Sequence, residues 1–163
     1  MYLSGVNYES VVDGVGVRTV FFVSGCKHNC MNCWSSQTHN FSYGSLVTAE
    51  LIDVINKNIN KRSFLSGITI SGGDAMFSPL ETVNFLEQIV IPKNNIWIYT
   101  GFKYEDIIVD KDRLTLLKQC NILVDGKFDE KLKDTSLKFR NSKNQRIIDI
   151  KSSLQANCIV ELF

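Results

Sequence analysis

Arg18-Thr19-Val20-Phe21-Phe22-Val23-Ser24 runs directly into Gly25-Cys26-Lys27-His28-Asn29-Cys30-Met31-Asn32-Cys33-Trp34. The first half is β-branched and aromatic, the pattern of a buried strand. The second half is a loop with three thiols at C-x3-C-x2-C spacing. Three thiolates on one tight loop, with no fourth, suit an iron–sulfur cluster that leaves one iron open. An open metal position is where catalysis is done, by the logic that separates catalytic from structural zinc. Zinc is the second reading, because His28 and His39 leave a Cys3His site conceivable. The C-x3-C step fits it poorly, and no second C-x2-C exists. Unliganded core or redox cysteines are the third reading. A disulfide framework is disfavoured by the odd total of five cysteines and by the lack of a secretory pattern.

Outward from this loop, strands and helices alternate. Residues 48–60 open with Thr-Ala-Glu-Leu and predict a helix with Leu51, Val54, Ile55 and Ile59 on one face. Ile68-Thr69-Ile70-Ser71 predicts a second strand, ending in Gly72-Gly73-Asp74. Residues 79–90 predict a helix with proline in its first turn. Residues 96–100 predict a third strand, 111–119 a helix, and 122–125 a fourth strand. Residues 147–150 and 158–162 are weaker strand candidates. This alternation implies an α/β fold with a parallel sheet of right-handed β-α-β units. Sites in such folds gather at the C-terminal ends of strands, where the cysteine loop and Gly72-Gly73-Asp74 both fall. At 163 residues the chain is too short for a closed eight-unit barrel, typically about 250 residues. The expectation is an incomplete, open parallel β/α barrel in one domain over residues 1–163. Its open side would suit a bulky substrate such as another protein.

Bulk properties set the frame. Apolar residues make up 44% and charged residues 21%, as in ordinary soluble globular proteins. The net charge of +1 does not speak for or against nucleic acid, and no long basic run occurs. No stretch approaches the roughly 18 apolar residues that span a membrane. The expectation is a cytoplasmic protein with neither nucleic-acid nor membrane partner, in a compartment where thiolates survive.

Together these stretches resemble the radical S-adenosylmethionine superfamily. Within it they are most similar to the activating proteins of anaerobic (class III) ribonucleoside-triphosphate reductases. Five stretches carry the resemblance. They are residues 12–19, the cysteine loop, Ser71-Gly72-Gly73-Asp74, residues 97–101 with 123–128, and residues 139–149. Two departures stand out: Val15 occupies a place usually held by proline, and Asn141 one usually held by glycine. Asparagine tolerates a left-handed backbone, so the turn at Asn141 is expected to survive.

The resemblance implies a [4Fe–4S] cluster on Cys26, Cys30 and Cys33, with S-adenosylmethionine on the fourth iron. It implies reductive cleavage to a 5′-deoxyadenosyl radical that takes a hydrogen from a glycine Cα of the large reductase subunit. An electron donor such as flavodoxin is implied too. Other glycyl-radical activators and small-molecule enzymes such as deazaguanine synthases are the alternatives. Gly72 and Gly73 would let backbone approach a ligand, and Asp74 would accept from the cofactor's ammonium. Asn32, Cys33 and Trp34 would contact the adenosyl part. Tyr99 and Thr100 point toward the same rim, and Asp125 and Lys127 resemble an Asp-x-Lys element, with Lys127 paired to the ligand carboxylate. Each has a plainer reading as turn or packing residue. Arg18 is expected to be a structural ion-pair partner, and Arg140, Gln145 and Arg146 to shape the site or dock the partner. Cys120 and Cys158 are expected as inert core thiols, and His28 and His39 as surface residues.

Overall fold

The computed structural model describes residues Met1–Phe163. The strands are β1 (Tyr2–Ser10), β2 (Arg18–Val23), β3 (Ser45–Leu46), β4 (Gly67–Gly72), β5 (Ile96–Tyr99), β6 (Ile122–Asp125) and β7 (Arg146–Asp149). The helices are α1 (Ala49–Asn60), α2 (Pro79–Gln88), α3 (Tyr104–Ile108), α4 (Lys111–Leu117) and α5 (Ile150–Ala156). One sheet holds all seven strands in the order β3-β1-β2-β4-β5-β6-β7, and it does not close. None of the helices is long and apolar enough to cross a membrane.

The four central strands are parallel, as the alternation requires. Helices bridge each step: α1 between β2 and β4, α2 between β4 and β5, α3 and α4 between β5 and β6. The edges correct the expectation of a purely parallel sheet. β1 runs antiparallel to β2, β3 antiparallel to β1, and β7 antiparallel to β6. Between β6 and β7 the chain forms only a short 3-10 turn, Glu130–Leu132, and no crossover helix. A parallel return needs such a crossover, so β7 comes back antiparallel.

Side-chain alternation splits the sheet into two faces. Phe21, Ile68, Ile70, Ile98, Leu123 and Ile148 face the main core with Ile52, Ile55 and Ile59 of α1, Phe85 of α2 and Leu116 of α4. Phe21 and Phe85 meet edge to face at 5.1 Å. Trp97, Ile122, Val124 and Ile147 form a smaller cluster, joined by Tyr99, Phe139 and Leu162. In α1 the buried face is Ile52, Ile55 and Ile59, and Val54 is 49% exposed. Thr48 caps this helix by accepting from Leu51 N at 3.3 Å.

Arg18 lies at the opposite end of the sheet from the cysteine loop. It is buried, but it is not an ion-pair partner as expected. It donates to Thr69 Oγ1, the Ile68 carbonyl and both oxygens of Asn95, and it lies over the Trp97 ring at 5.4 Å. Loss of hydration lowers its guanidinium to about 10. Residues 158–162 are not a strand. They follow α5 and pair with the sheet through a single bridge from Glu161 to Ile148.

Candidate functional site

The cysteine loop leaves β2 at Val23 and is tied down by the ends of two neighbouring strands. Gly73 N donates to the Val23 carbonyl at 2.7 Å, and Asp74 N to the Gly25 carbonyl at 2.9 Å. This explains the two glycines. Gly72 has φ +96°, and a Cβ there would meet Phe22 Cα at 2.8 Å; one on Gly73 would meet the Gly25 carbonyl oxygen at 2.8 Å. The close approach made by Gly72-Gly73 is thus to the chain's own cysteine loop. Cys33 N closes a turn onto the Cys30 carbonyl at 3.3 Å. Asn29 and Asn32 take left-handed backbone, which asparagine accepts at low cost.

Cys26, Cys30 and Cys33 are free thiols that line one cavity of about 130 Å³. Ser71, Gly72, Gly73, Asp74, Tyr99, Thr100, Gly101, Gly126, Phe128, Gln145, His28 and His39 share its wall. Burial pushes the Cys26 thiol up to about 11, with Asp74, Cys30 and Cys33 adding to the rise. Cys30 is also raised, by burial first and Cys33 second. No group of three or more His, Cys, Asp or Glu side chains is arranged to hold one metal ion. The thiols line a wall and do not converge on a point.

Asp74 is buried and holds four donors. Its Oδ1 accepts from Met76 N at 2.9 Å. Its Oδ2 accepts from Thr100 Oγ1 at 2.9 Å and Gly101 N at 2.9 Å, and contacts His28 Nε2 at 2.7 Å. His28 is not the surface residue expected. Its ring stands between Phe77, at 4.9 Å, and Phe102, at 4.7 Å, and its side chain is only 8% exposed. Without Gly101 it could not sit there, since a Cβ on that residue would meet the His28 ring at 2.5 Å. His39 is not a surface residue either. Its Nε2 is buried without a hydrogen-bond partner.

A second cavity of about 610 Å³ adjoins the first through His28, Gly101 and Gly126. Lys27, Lys103, Lys127, Asp125 and Arg146 line it. Its size is that of small-molecule sites. Asp125 is fully buried and already paired. Arg146 bonds both its oxygens and also Glu105, at 3.0 and 2.8 Å, while Tyr104 N donates to Asp125 at 2.7 Å. Arg146 thus pins β7 to β6 and α3. Tyr99 donates its hydroxyl to the Phe139 carbonyl at 2.9 Å, and burial pushes its phenol up.

The remaining expectations sort as follows. Asn32 and Trp34 are exposed and lie outside both cavities; the Trp34 ring carries Lys133 Nζ at 4.8 Å. Gln145 lines the cysteine cavity, donates to the Gly126 carbonyl at 3.1 Å and accepts from Asn141 N at 2.9 Å. Arg140 donates to the Gln145 carbonyl at 3.0 Å. The left-handed residue of this segment is Phe139, at φ +57°, and not Asn141. Cys120 is a buried core thiol, as expected, but Cys158 is exposed. Ser71, Gly126 and Phe128 also line this cavity; the sequence places them in stretches that carry the resemblance but gives them no role at the site.

A family model described as a 4Fe-4S single cluster domain matches residues 12–148. An anaerobic ribonucleoside-triphosphate reductase-activating protein of Enterobacteria phage T4 is 33% identical over 151 residues, covering 87% of this chain and 93% of its own. The protein of that name from Escherichia coli K12 is 35% identical over 141 residues, 83% and 90% of the two chains. That of Vibrio cholerae is 37% identical over 142 residues, 84% and 90%.

The chain belongs to the anaerobic ribonucleoside-triphosphate reductase-activating protein family.

The donor set fits the cluster that this family model describes. Three soft thiolates suit iron–sulfur ligation, and each can bind a different iron, so they need not converge on one point. The unpartnered Nε2 of His39 on the same wall also indicates a wall shaped around an absent acceptor. In this activating-protein family member the second histidine, His28, is committed to Asp74 and is not available as a fourth ligand.

Proposed function

We propose that this protein activates an anaerobic ribonucleoside-triphosphate reductase by making a glycyl radical on its large subunit. The observation that carries the proposal is the three-thiol wall of Cys26, Cys30 and Cys33, facing Gly72-Gly73-Asp74 across one cavity, in a chain of this family. Cys26, Cys30 and Cys33 would hold a [4Fe–4S] cluster, and Gly72, Gly73 and Asp74 would hold S-adenosylmethionine beside it. When bound, these groups would supply one-electron reductive cleavage of S-adenosylmethionine, and with it the abstraction of a hydrogen atom from a glycine Cα.

The chain's own residues bind, orient and shield. Gly73 and Asp74 fix the loop, so the thiols keep their spacing when the strand ends are ordered. Asp74 receives the cofactor's ammonium by exchanging one of its present contacts, that to His28. Lys127 is exposed, has no carboxylate partner, and lines the larger cavity, so it is a free cation for the cofactor's carboxylate. Asn32, Cys33 and Trp34 meet the adenosyl part when the exposed loop folds over it. Tyr99 and Thr100 form the floor, and Asp125 acts through Arg146 to hold that wall.

The fold of this proposal is an incomplete, open β/α barrel, a single domain over residues 1–163. Helices cover one face of the sheet, while the other keeps Arg18, Thr69 and Tyr99 along it. Tyr99 also lines a cavity of about 390 Å³ with Val11, Val12, Leu137 and Phe139, which gives a partner's loop a path toward the thiols. A one-electron donor such as flavodoxin supplies the reductant, and the setting is the cytoplasm, away from membrane and nucleic acid.

The test is anaerobic reconstitution. The chain should bind about four irons, and Cys26→Ala, Cys30→Ala or Cys33→Ala should remove iron and its charge-transfer band, while Cys120→Ser and Cys158→Ser keep both. The loaded protein should cleave S-adenosylmethionine reductively. Stoichiometric zinc and no such band would overturn the proposal.

A further inference from the structure

We propose that His39 donates a hydrogen bond from Nε2 to a sulfur of the iron–sulfur group on Cys26, Cys30 and Cys33, and so raises its reduction potential. The proposal rests on the cluster reading above.

His39 ends a 3-10 turn, Ser36–His39, that is fastened to the cysteine loop. Thr38 anchors the turn: it is buried, its Oγ1 donates to the Ser35 carbonyl at 2.6 Å, and its own carbonyl accepts from Gly25 N at 2.7 Å. The imidazole is therefore held against the cavity by the residue that precedes Cys26. There its Nε2 is buried and has no hydrogen-bond partner within the chain. An unpaired buried donor costs about 1–3 kcal/mol, and folded proteins leave few of them.

Most other polar side chains on this wall are engaged, the Ser71 hydroxyl excepted. Asp74 holds its four donors, Thr100 and His28 bond Asp74, Tyr99 bonds the Phe139 carbonyl, and Gln145 bonds the Gly126 carbonyl and Asn141 N. The acceptors that face the cavity in numbers are sulfurs: three thiolates and the sulfides of a bound cluster. Reduction adds negative charge to those sulfurs, so an N–H donor binds the reduced state more strongly. Such a donor makes the cluster easier to reduce, which is the difficult step for an enzyme that must deliver an electron to a sulfonium.

The test compares reconstituted wild type, His39→Leu and His39→Gln by iron analysis and by potentiometric titration followed with electron paramagnetic resonance. All three should bind about four irons. His39→Leu should move the midpoint to more negative potential, lowering the equilibrium constant for reduction by about threefold to tenfold. His39→Gln, which keeps an N–H donor, should recover part of the shift. An unchanged midpoint in His39→Leu would overturn the proposal. Loss of iron in that variant would overturn it too, by making His39 a ligand and not a donor. A wild-type chain that binds no iron would instead overturn the cluster reading itself.

Discussion

Asp74 gathers two backbone N–H groups, one hydroxyl and one imidazole on its two oxygens. This makes it the joint between β4, β5 and the cysteine loop before it is anything else. On the proposed function, a carboxylate so placed would meet a cofactor by trading one of these partners, the His28 contact. Asp74→Ala should therefore have two effects. On the reconstituted protein, calorimetry should show S-adenosylmethionine bound about tenfold to a hundredfold more weakly, the worth of a lost charge-assisted hydrogen bond. Urea unfolding should show a loss of about 1–3 kcal/mol, because the Thr100 and Gly101 donors lose their acceptor. Lower stability with unchanged affinity would make this carboxylate a structural joint alone. The motif around Asp74 was legible because it follows a strand downstream of the cysteine loop; alone, Gly-Gly-Asp reads as a turn. The commitment of His28 and His39 was not. A histidine in a loop carries no periodic signal, and only the arrival of Phe77, Phe102 and Gly101 from distant strands buries the His28 ring.

At the scale of elements, the β6–β7–α3 corner depends on Arg146. Its guanidinium bridges the buried Asp125 and the exposed Glu105. Arg146→Met should cost about 3–5 kcal/mol in denaturant unfolding, since the buried carboxylate is left without its counter-charge. The pH dependence follows from Glu105. Arg146 holds its carboxyl down to about 2 in the folded chain. Glu105 therefore stabilises the fold above its ordinary carboxylate range, and this contribution disappears as pH falls toward 2. Glu105→Gln should be less stable than wild type at neutral pH and match it near pH 2, read from urea midpoints across that range; a constant difference at all pH would contradict the ion pair. The elements themselves were legible where composition is one-sided. β2, β4, β5 and β6 are short β-branched runs between glycines and helices, and α1, α2 and α4 carry the helical period. β1 was missed because Tyr2–Ser10 mixes Gly5 and serines into an edge strand that owes its form to pairing with β2. α5 was missed because its start signal, Asp149 capping Ser152 N at 2.7 Å, sits at the end of an apolar run that reads as strand.

For the whole molecule, an open sheet with helices on one face leaves the thiol cavity reachable from the other. On the proposed function, the chain carries the cofactor wall on its strand ends, and a loop of the partner would complete the enclosure that excludes water. That division was visible in the sequence only as a length too short for a closed barrel. The antiparallel edges that hold the sheet open arise from connections, residues 126–145 above all, whose path no local pattern records. The central claim is that the radical is delivered to a protein. The most direct measurement is electron paramagnetic resonance of the reconstituted, reduced protein mixed anaerobically with S-adenosylmethionine and the large reductase subunit. A carbon-centred doublet should appear on the reductase and collapse when that subunit is made with glycine deuterated at Cα. Cleavage of S-adenosylmethionine with no radical on the reductase, and turnover of a small molecule in its place, would contradict the account.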